Sequence, residues 1–476
     1  MSLKFGTSGL RGLSAELVGS PSYVYAAAFA KYLLDQNLAA SGDRVLIGYD
    51  FRDSSPAIAA NVRQAVHDTG LVPVDCGTLP TPALAFYGLE LGAASTMITG
   101  SHIPADRNGI KFYLPSGEIT KQDEKAITQR AAGISAPETA AEEVPFEELG
   151  KEAVARFMQR NRELLAPEAL KGLKVGIYQH STVARDMLAG ILKDFGAETV
   201  LLGRSETFIP VDTEAVSGET RAALKSWSSD HSLDAIVSAD GDGDRPLIVD
   251  ETGEPVNGDI CGFLAALFLK ANRIVTPITS NSGIETACVC AVRRTKVGSP
   301  FVIAGMDVEA SLDSALVVGF EANGGTLTAS DFQVAGGTLS ALPTRDCFLP
   351  ILAVLATARV ANSPVSTVTA ALGLNATASD RLKDFAQEKS AAIMAWLTEE
   401  EGNLALFLKP VGVPAAVDTL DGLRITLEDG SVMHFRPSGN APEMRCYVEA
   451  SSPEICKHLL ESGLNLLVSF DRTETA

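Results

Sequence analysis

The stretch Asp234-Ala-Ile-Val-Ser-Ala-Asp-Gly-Asp-Gly-Asp-Arg245 joins an apolar run to a loop in which carboxylates alternate with glycine. A short apolar run bounded by polar residues reads as a buried strand, here Asp234 to Ala239, with Pro246 to Val249 reading as another strand beyond the loop. The pattern recurs twice: Ala93 to Thr99 runs into Gly100-Ser101-His102, and Ala315 to Phe320 runs into Glu321-Ala-Asn-Gly-Gly325. Around these runs, Arg44 to Tyr49, Leu71 to Cys76, Lys174 to Tyr178, Thr199 to Leu202 and Ile274 to Ile278 read as strands, and Pro56 to Thr69 as a helix. Strands that alternate with helices point to βαβ units. The expected fold class is therefore α/β, with three similar domains built on mixed, mainly parallel sheets. Ligands gather beyond the carboxyl ends of strands in such sheets, so the three polar loops are expected to converge on one central cleft.

After about Pro364 the texture changes to two helical stretches, then strands from Ala415 to Leu427, Ser431 to Phe435 and Met444 to Ala450, which predicts a smaller α+β domain. A charged, alanine-rich stretch from Ala136 to Glu148 marks a first boundary. The expected domains are 1–148 with the serine loop, 149–253 with the acidic loop, 254–365 with the glycine-rich loop and 366–476 with a basic loop.

Composition fits this reading: 476 residues are about three times a typical domain, and 46% apolar side chains with 41 glycines and 23 prolines suit a folded chain with many tight turns. Against 59 acidic side chains stand 39 basic ones, a formal charge of -20 that repels nucleic acid and anionic membranes over most of the surface. An anionic ligand must then be held by a local basic site. The longest apolar stretch falls well short of the ~20 residues of a membrane helix, and the start lacks the apolar run of a secretory signal. The cytoplasm is the expected location. Seven scattered cysteines with no CxxC pair read as reduced packing residues.

Three carboxylates as close as Asp240, Asp242 and Asp244 repel one another unless a cation sits among them, and the glycines between them let all three turn inward. Hard oxygen ligands select magnesium or calcium over zinc. A calcium EF-hand would use the same aspartates, but its sixth loop position must be glycine and is Arg245, and a strand stands where its helix should begin.

Ser101 by itself is an ordinary turn residue. It is no hydrolase nucleophile by pattern, since GxSxG is absent and His102 is poorly placed to deprotonate its own neighbour. A serine phosphorylated at rest needs only cations around its phosphate, which Lys111, Arg11, His102 and a metal can supply. Near the end, Arg436-Pro-Ser-Gly-Asn440 with Arg445 has the parts of a phosphate clamp: two planar guanidinium forks, the neutral donors Ser438 and Asn440, and an exposed backbone at Gly439. Glu321 and Asn323 can hydrogen-bond vicinal sugar hydroxyls, and no nucleotide-binding glycine motif is present.

Taken in order, Phe5-Gly-Thr-Ser-Gly-Leu-Arg-Gly12, Thr99-Gly-Ser-His-Ile-Pro104 with Asn108-Gly-Ile-Lys111, Asp240-Gly-Asp-Gly-Asp-Arg245, Phe320-Glu-Ala-Asn-Gly324 and Arg436-Pro-Ser-Gly-Asn440 resemble the α-D-phosphohexomutase superfamily. The resemblance spans the whole chain and implies four domains around a deep cleft. It implies an isomerase that interconverts hexose 1-phosphate and hexose 6-phosphate, of mannose or glucose, through a phosphoserine and a hexose 1,6-bisphosphate intermediate, with Mg2+ as cofactor. By the same carry-over Ser101 is the phosphoserine, and Asp240, Asp242 and Asp244 bind the metal together with the serine phosphate. Lys111, His102 and Arg11 orient the transferring group and assist proton transfer. Thr7, Ser8, Arg245, Glu321, Asn323, Arg436, Ser438, Gly439, Asn440 and Arg445 bind substrate. The partner implied is a small sugar phosphate, with no nucleic acid and no membrane, and a monomer or homodimer is expected.

Departures from the family pattern bear on the sugar. Gly100 stands where alanine is usual and Ile103 where asparagine is usual. Phe320 replaces a glycine, Asn323 a serine and Asn440 a threonine, and Gly325 stands where several members carry a histidine. Two other readings stay open at this level: a phosphoglucosamine mutase, and a regulatory protein that binds a sugar phosphate without turnover.

Overall fold

A mixed sheet carries the serine loop, in the strand order Lys4–Phe5, Leu10–Leu13, Arg107–Leu114, Ala94–Ile98, Arg44–Tyr49, Val72–Thr78 and Glu147–Glu148, with Gly117–Glu118 beside Arg107–Leu114. The computed structural model describes residues 3–6, 9–137, 144–439 and 442–470. Arg44–Tyr49 pairs in parallel with both Val72–Thr78 and Ala94–Ile98, as apolar runs buried on two faces should. Arg107–Leu114 turns back antiparallel on Ala94–Ile98 and pairs with Leu10–Leu13 on its other side. Because side chains alternate along a strand, Ile110 and Phe112 enter the apolar core while Lys111 faces the other way. The register sets Arg11 opposite Gly109, on the same pair of strands.

The second sheet runs Glu198–Arg204, Lys174–His180, Ala235–Ala239, Pro246–Val249, the first three parallel and the last antiparallel. Ala239 pairs with Pro246, so the acidic loop is the turn of a hairpin. In the third, Arg273–Pro277 runs parallel to Val317–Phe320, which is followed antiparallel by Thr326–Thr328 and then Leu342–Asp346. The glycine-rich loop is likewise a hairpin turn, with Gly324 at φ +83°. Helix ends follow local chemistry: Thr120 and Asp123 close a capping box on Lys121–Ala131, and Gly92 in the left-handed region ends Thr81–Leu91.

Contacts divide the chain into two units, Met1–Val275 with Gly298–Ala371, and Thr276–Val297 with Leu372–Ala476. In the second, five antiparallel strands run in the order Ala376–Leu382, Met444–Ala450, Val432–Pro437, Leu423–Leu427, Pro414–Asp418. Helices Gln387–Glu399, Glu401–Leu408 and Pro453–Ser469 cover them, and Trp396, Phe407, Phe435 and Leu467 share one core. The three mixed α/β sheets and the smaller α+β sheet are as the sequence predicts, but the α/β sheets are not mainly parallel: hairpins and returning strands such as Pro246–Val249, Thr326–Thr328 and Arg107–Leu114 add as many antiparallel pairings. Ala376–Leu382 was not expected: an edge strand with no fully buried residue, whose core side carries only Ala376, Ala378 and Leu382 around Asp380, gives a weak apolar signal. The run expected from Ala415 to Leu427 is two strands with a turn between them. All seven cysteines are free. Among the described residues, no helix is long and apolar enough to cross a membrane.

Candidate active site

Within the first unit the three loops meet. Ser101 follows the strand Ala94–Ile98 in the left-handed region, φ +54°, and is 2% exposed. Its Oγ donates to Asp240 Oδ2 at 2.5 Å and lies 3.2 Å from His102 Nδ1. The serine hydroxyl of one domain thus touches the acidic turn of another.

That turn is tied down from both sides, by Thr81 N–H to the Asp242 carbonyl at 2.9 Å and Val183 N–H to the Gly241 carbonyl at 3.2 Å. The oxygens of Asp240, Asp242 and Asp244 lie within 4.8 Å of one another, and all three residues are buried. Asp240 Oδ1 accepts the backbone N–H groups of Asp244 and Arg245, each at 3.2 Å. Lys111 Nζ bridges Asp242 Oδ2 and Asp244 Oδ2, at 2.6 Å to each. Thr81 Oγ1 donates to Asp242 Oδ2 at 2.5 Å.

Asp242 Oδ1 and Asp244 Oδ1 are buried and accept no hydrogen bond. A buried carboxylate oxygen in that condition costs about 1–3 kcal/mol or more, and two of them beside a third carboxylate make a donor set that fits a hard divalent cation. Electrostatics agree. Burial, and then Asp242 and Asp244, push the Asp240 carboxyl well up. Burial would raise Asp244 too, but Arg345, Lys111 and Arg245 outweigh it and hold that carboxyl far below its ordinary range. For Lys111, burial opposes charge, yet Asp242 and Asp244 prevail and keep the ammonium protonated.

Burial, with Arg245 and Arg11 nearby, lowers the His102 imidazole to about 2. With Ser101 as a free hydroxyl, burial therefore favours a neutral His102 that hydrogen-bonds its neighbour. Burial, Arg245 and Arg345 lower Arg11 to about 10, where it remains charged at neutral pH. Arg245 Nε stands 3.7 Å from Asp244 Oδ1 and 4.0 Å from Asp240 Oδ2.

Arg345 was missed by the sequence reading. From the strand Leu342–Asp346 it donates through Nη1 to Glu321 Oε2 at 2.9 Å and through Nη2 to Asp244 Oδ2 at 2.8 Å. It thereby ties the glycine-rich loop to the acidic one. A Cβ at Gly325 would come within 2.6 Å of its Cδ, so the bare glycine makes room for this side chain. No periodicity marks Arg345, and Leu342-Pro-Thr-Arg-Asp346 does not read as a buried strand. Asn323 Oδ1 accepts Gly325 N–H at 2.9 Å and so braces the loop it belongs to.

In the second unit, Arg436 and Arg445 sit directly opposite each other on adjacent strands, and Arg381 faces Arg445 from the other side. Like charges in register repel unless something neutralises them. Asp421 meets Arg436 at 2.8 Å, and Glu443 stands 3.5 Å from both Arg445 and Arg381. Ser438 N–H bonds the Glu443 carbonyl at 2.9 Å, and a Cβ at Gly439 would meet nothing within 4 Å, so its backbone is open. Arg381 was also missed, because only strand register reveals it. Thr7, Ser8 and Asn440 lie outside the described residues.

The chain matches four family models in order: phosphoglucomutase/phosphomannomutase alpha/beta/alpha domain I over residues 2–138, domain II over 154–253, domain III over 257–373, and the C-terminal domain over 380–462. A phosphomannomutase of Sinorhizobium fredii is 53% identical over 98% of this chain and 99% of its own length. A phosphoglucosamine mutase of an Arthrobacter species is 28% identical over 96% of this chain and 97% of its own. The crystal structure of a phosphoglucomutase/phosphomannomutase family protein from Burkholderia thailandensis shares the fold, with a TM-score of 0.76 at 19% identity over 97% of this chain and 96% of that one. Four domain models in their expected order and a full-length relative at 53% identity show that the chain belongs to the phosphoglucomutase/phosphomannomutase family, as an isomerase of the phosphohexomutase kind.

Proposed function

We propose that the chain is a cytoplasmic enzyme that interconverts mannose 1-phosphate and mannose 6-phosphate, takes glucose phosphates as further substrates, and uses Ser101 as the phosphoryl carrier. The observation that carries this reading is the 2.5 Å contact between Ser101 Oγ and Asp240 inside the buried acidic cluster. Asp240, Asp242 and Asp244 would hold Mg2+ together with an oxygen of the Ser101 phosphate, and the metal when bound would neutralise charge on the transferring phosphoryl group.

The resting enzyme carries the phosphoryl on Ser101. A free hydroxyl of the sugar attacks it, the bond from phosphorus to Ser101 Oγ breaks, and the proton given up by the sugar hydroxyl is taken up by the departing Ser101 Oγ. The product of this half is a hexose 1,6-bisphosphate. It turns over, Ser101 Oγ attacks the other phosphoryl group, the bond from that phosphorus to the sugar oxygen breaks, and the sugar oxygen takes up the proton that Ser101 gives up. Lys111, Arg11 and Arg245 supply fixed positive charge where the phosphoryl passes, so positioning and electrostatics provide most of the rate.

Glu321, held by Arg345, and Asn323 would orient sugar hydroxyls. Arg436, Ser438, Gly439, Asn440 and Arg445 would hold the phosphate that is not reacting, with Thr7 and Ser8 contributing near the start of the chain. The identity to the mannose enzyme is nearly twice that to the glucosamine one, which favours mannose. The test is intact mass of the purified protein before and after phosphatase, with turnover of mannose, glucose and glucosamine 1-phosphates in magnesium. Phosphoserine at Ser101 and the largest kcat/KM for mannose 1-phosphate are expected. Absence of both phosphoserine and turnover would defeat the reading, and a largest kcat/KM for the glucosamine substrate would overturn the choice of sugar.

A further inference from the structure

A non-glycine residue at positive φ costs about 1–3 kcal/mol and persists only where its surroundings over-determine it. Ser101 is such a residue, at φ +54°. What over-determines it is Arg52, from the segment just after the strand Arg44–Tyr49, whose side chain is 1% exposed. Nη2 donates to the carbonyls of Ser101 at 2.9 Å and Ile103 at 2.6 Å. Nη1 donates to those of Pro104 at 2.7 Å and Arg107 at 2.8 Å, and Nε to Asp50 Oδ2 at 3.2 Å. All five guanidinium donors are used, four of them on the backbone of the loop that carries the serine. Asp50 holds the other side of the same turn through Thr99 Oγ1 at 2.8 Å and Gly100 N–H at 3.3 Å.

Two further contacts make the fit close. A Cβ at Gly100 would stand 2.6 Å from Arg52 Cζ, so the bare glycine is what admits the guanidinium. The Phe208 ring lies over that guanidinium, 4.0 Å from its centroid to Cζ, and reaches across to the acidic turn, where a Cβ at Gly241 would meet Phe208 Cε2 at 3.0 Å and the Ser101 carbonyl at 2.8 Å. Gly100, Arg52, Phe208 and Gly241 therefore form one stack joining the serine loop to the metal loop.

We propose that Arg52, admitted by Gly100 and capped by Phe208, is a positioning residue that fixes the Ser101 backbone so that Oγ returns to the same point beside Asp240 in both halves of the reaction. The inference rests on Ser101 as phosphoryl carrier. Lysine cannot replace this side chain, since one ammonium has three donors on a single atom and cannot reach four carbonyls spread along a loop.

The test compares Arg52→Lys, Gly100→Ala, their double variant and Phe208→Leu with wild type, reading kcat and KM for mannose 1-phosphate, phosphoserine by intact mass, and melting temperature. A displacement near 1 Å at the reacting atom lowers rate by about 100-fold. Arg52→Lys and Gly100→Ala are each expected to lower kcat by about 10- to 100-fold, with KM within about threefold and a folded protein. The double variant should be no slower than the slower single one, because removing the guanidinium makes room for the new methyl group. Unchanged kcat in both single variants, or losses that multiply in the double, would overturn the proposal. Should Arg52→Lys not fold, the decision falls to Gly100→Ala and Phe208→Leu, where unchanged kcat overturns it and a kcat loss at constant KM supports it. A wild type that lacks phosphoserine and turnover would instead refute the phosphoryl-carrier reading, whereas a phosphorylated, active wild type with fully active variants refutes this inference alone.

Discussion

Replacing Lys111 by methionine removes the one ammonium that lies 2.6 Å from both Asp242 and Asp244, while keeping the volume of the side chain. Each contact corresponds to an attraction of about 6 kcal/mol at an effective dielectric constant near 20, most of it offset by the cost of taking the three charges out of water. What the variant loses is therefore the penalty of leaving buried carboxylates uncompensated, about 3–5 kcal/mol. Spread over a unit the size of Met1–Val275 with Gly298–Ala371, that lowers the melting temperature by about 4–7 °C. A divalent cation repels Lys111 and attracts the same carboxylates, so magnesium should raise the melting temperature of Lys111→Met more than that of wild type. Differential scanning fluorimetry with chelator and across a magnesium series measures both, and turnover in saturating magnesium should fall because the fixed charge beside the phosphoryl group is gone. An unchanged melting temperature in chelator, or equal magnesium shifts in the two proteins, would refute the reasoning.

Ser101→Ala should abolish turnover and show no phosphorylated mass, yet bind mannose 1-phosphate by calorimetry with a Kd within about threefold of wild type, since binding falls to other residues; a Kd weakened far beyond that would contradict the assignment of roles. Arg345→Gln breaks the bridge between Glu321 and Asp244, and a cost of about 3 kcal/mol with a kcat loss above about tenfold is expected, whereas a variant with wild-type stability and rate would exclude Arg345 from the site. Burial, the largest cause, lowers His180 and His434 to about 4 each. The unfolded chain takes up protons at these imidazoles below pH about 6.5 and the folded chain only near 4, so their contribution is complete above pH about 6.5 and is lost as pH falls, up to about 3 kcal/mol each. Melting temperature measured from pH 7.5 to pH 5 should drop in wild type and drop less in a His180→Asn, His434→Asn double variant; equal slopes would rule this origin out.

The sequence was legible where chemistry is local. Three carboxylates within five residues and separated by glycine mark a candidate cation site before any fold is known, and the structure brings their oxygens within 4.8 Å of one another. Strands read well where both faces are buried, as in Arg44–Tyr49, which the apolar pattern predicts to the residue. Ala376–Leu382 escaped because an edge strand has no such pattern. Arg52 and Arg345 escaped for a different reason: an isolated arginine carries no sign of what it will face, and both act on loops far away in the chain.

The amino-acid sequence by itself determined the α/β class, through strands alternating with helices, and the acidic turn, through spacing along one short segment, while Ser101 and Lys111 stood out only through the resemblance of several motifs taken in order. Only the tertiary structure decided that Ser101 Oγ meets Asp240, that Lys111 spans two carboxylates, that Arg345 ties Glu321 to Asp244 and that Gly100 makes space for Arg52. Those contacts join residues from 24 to 139 positions apart in sequence, and their energies depend on burial and strand register, which become defined only when the sheets pack.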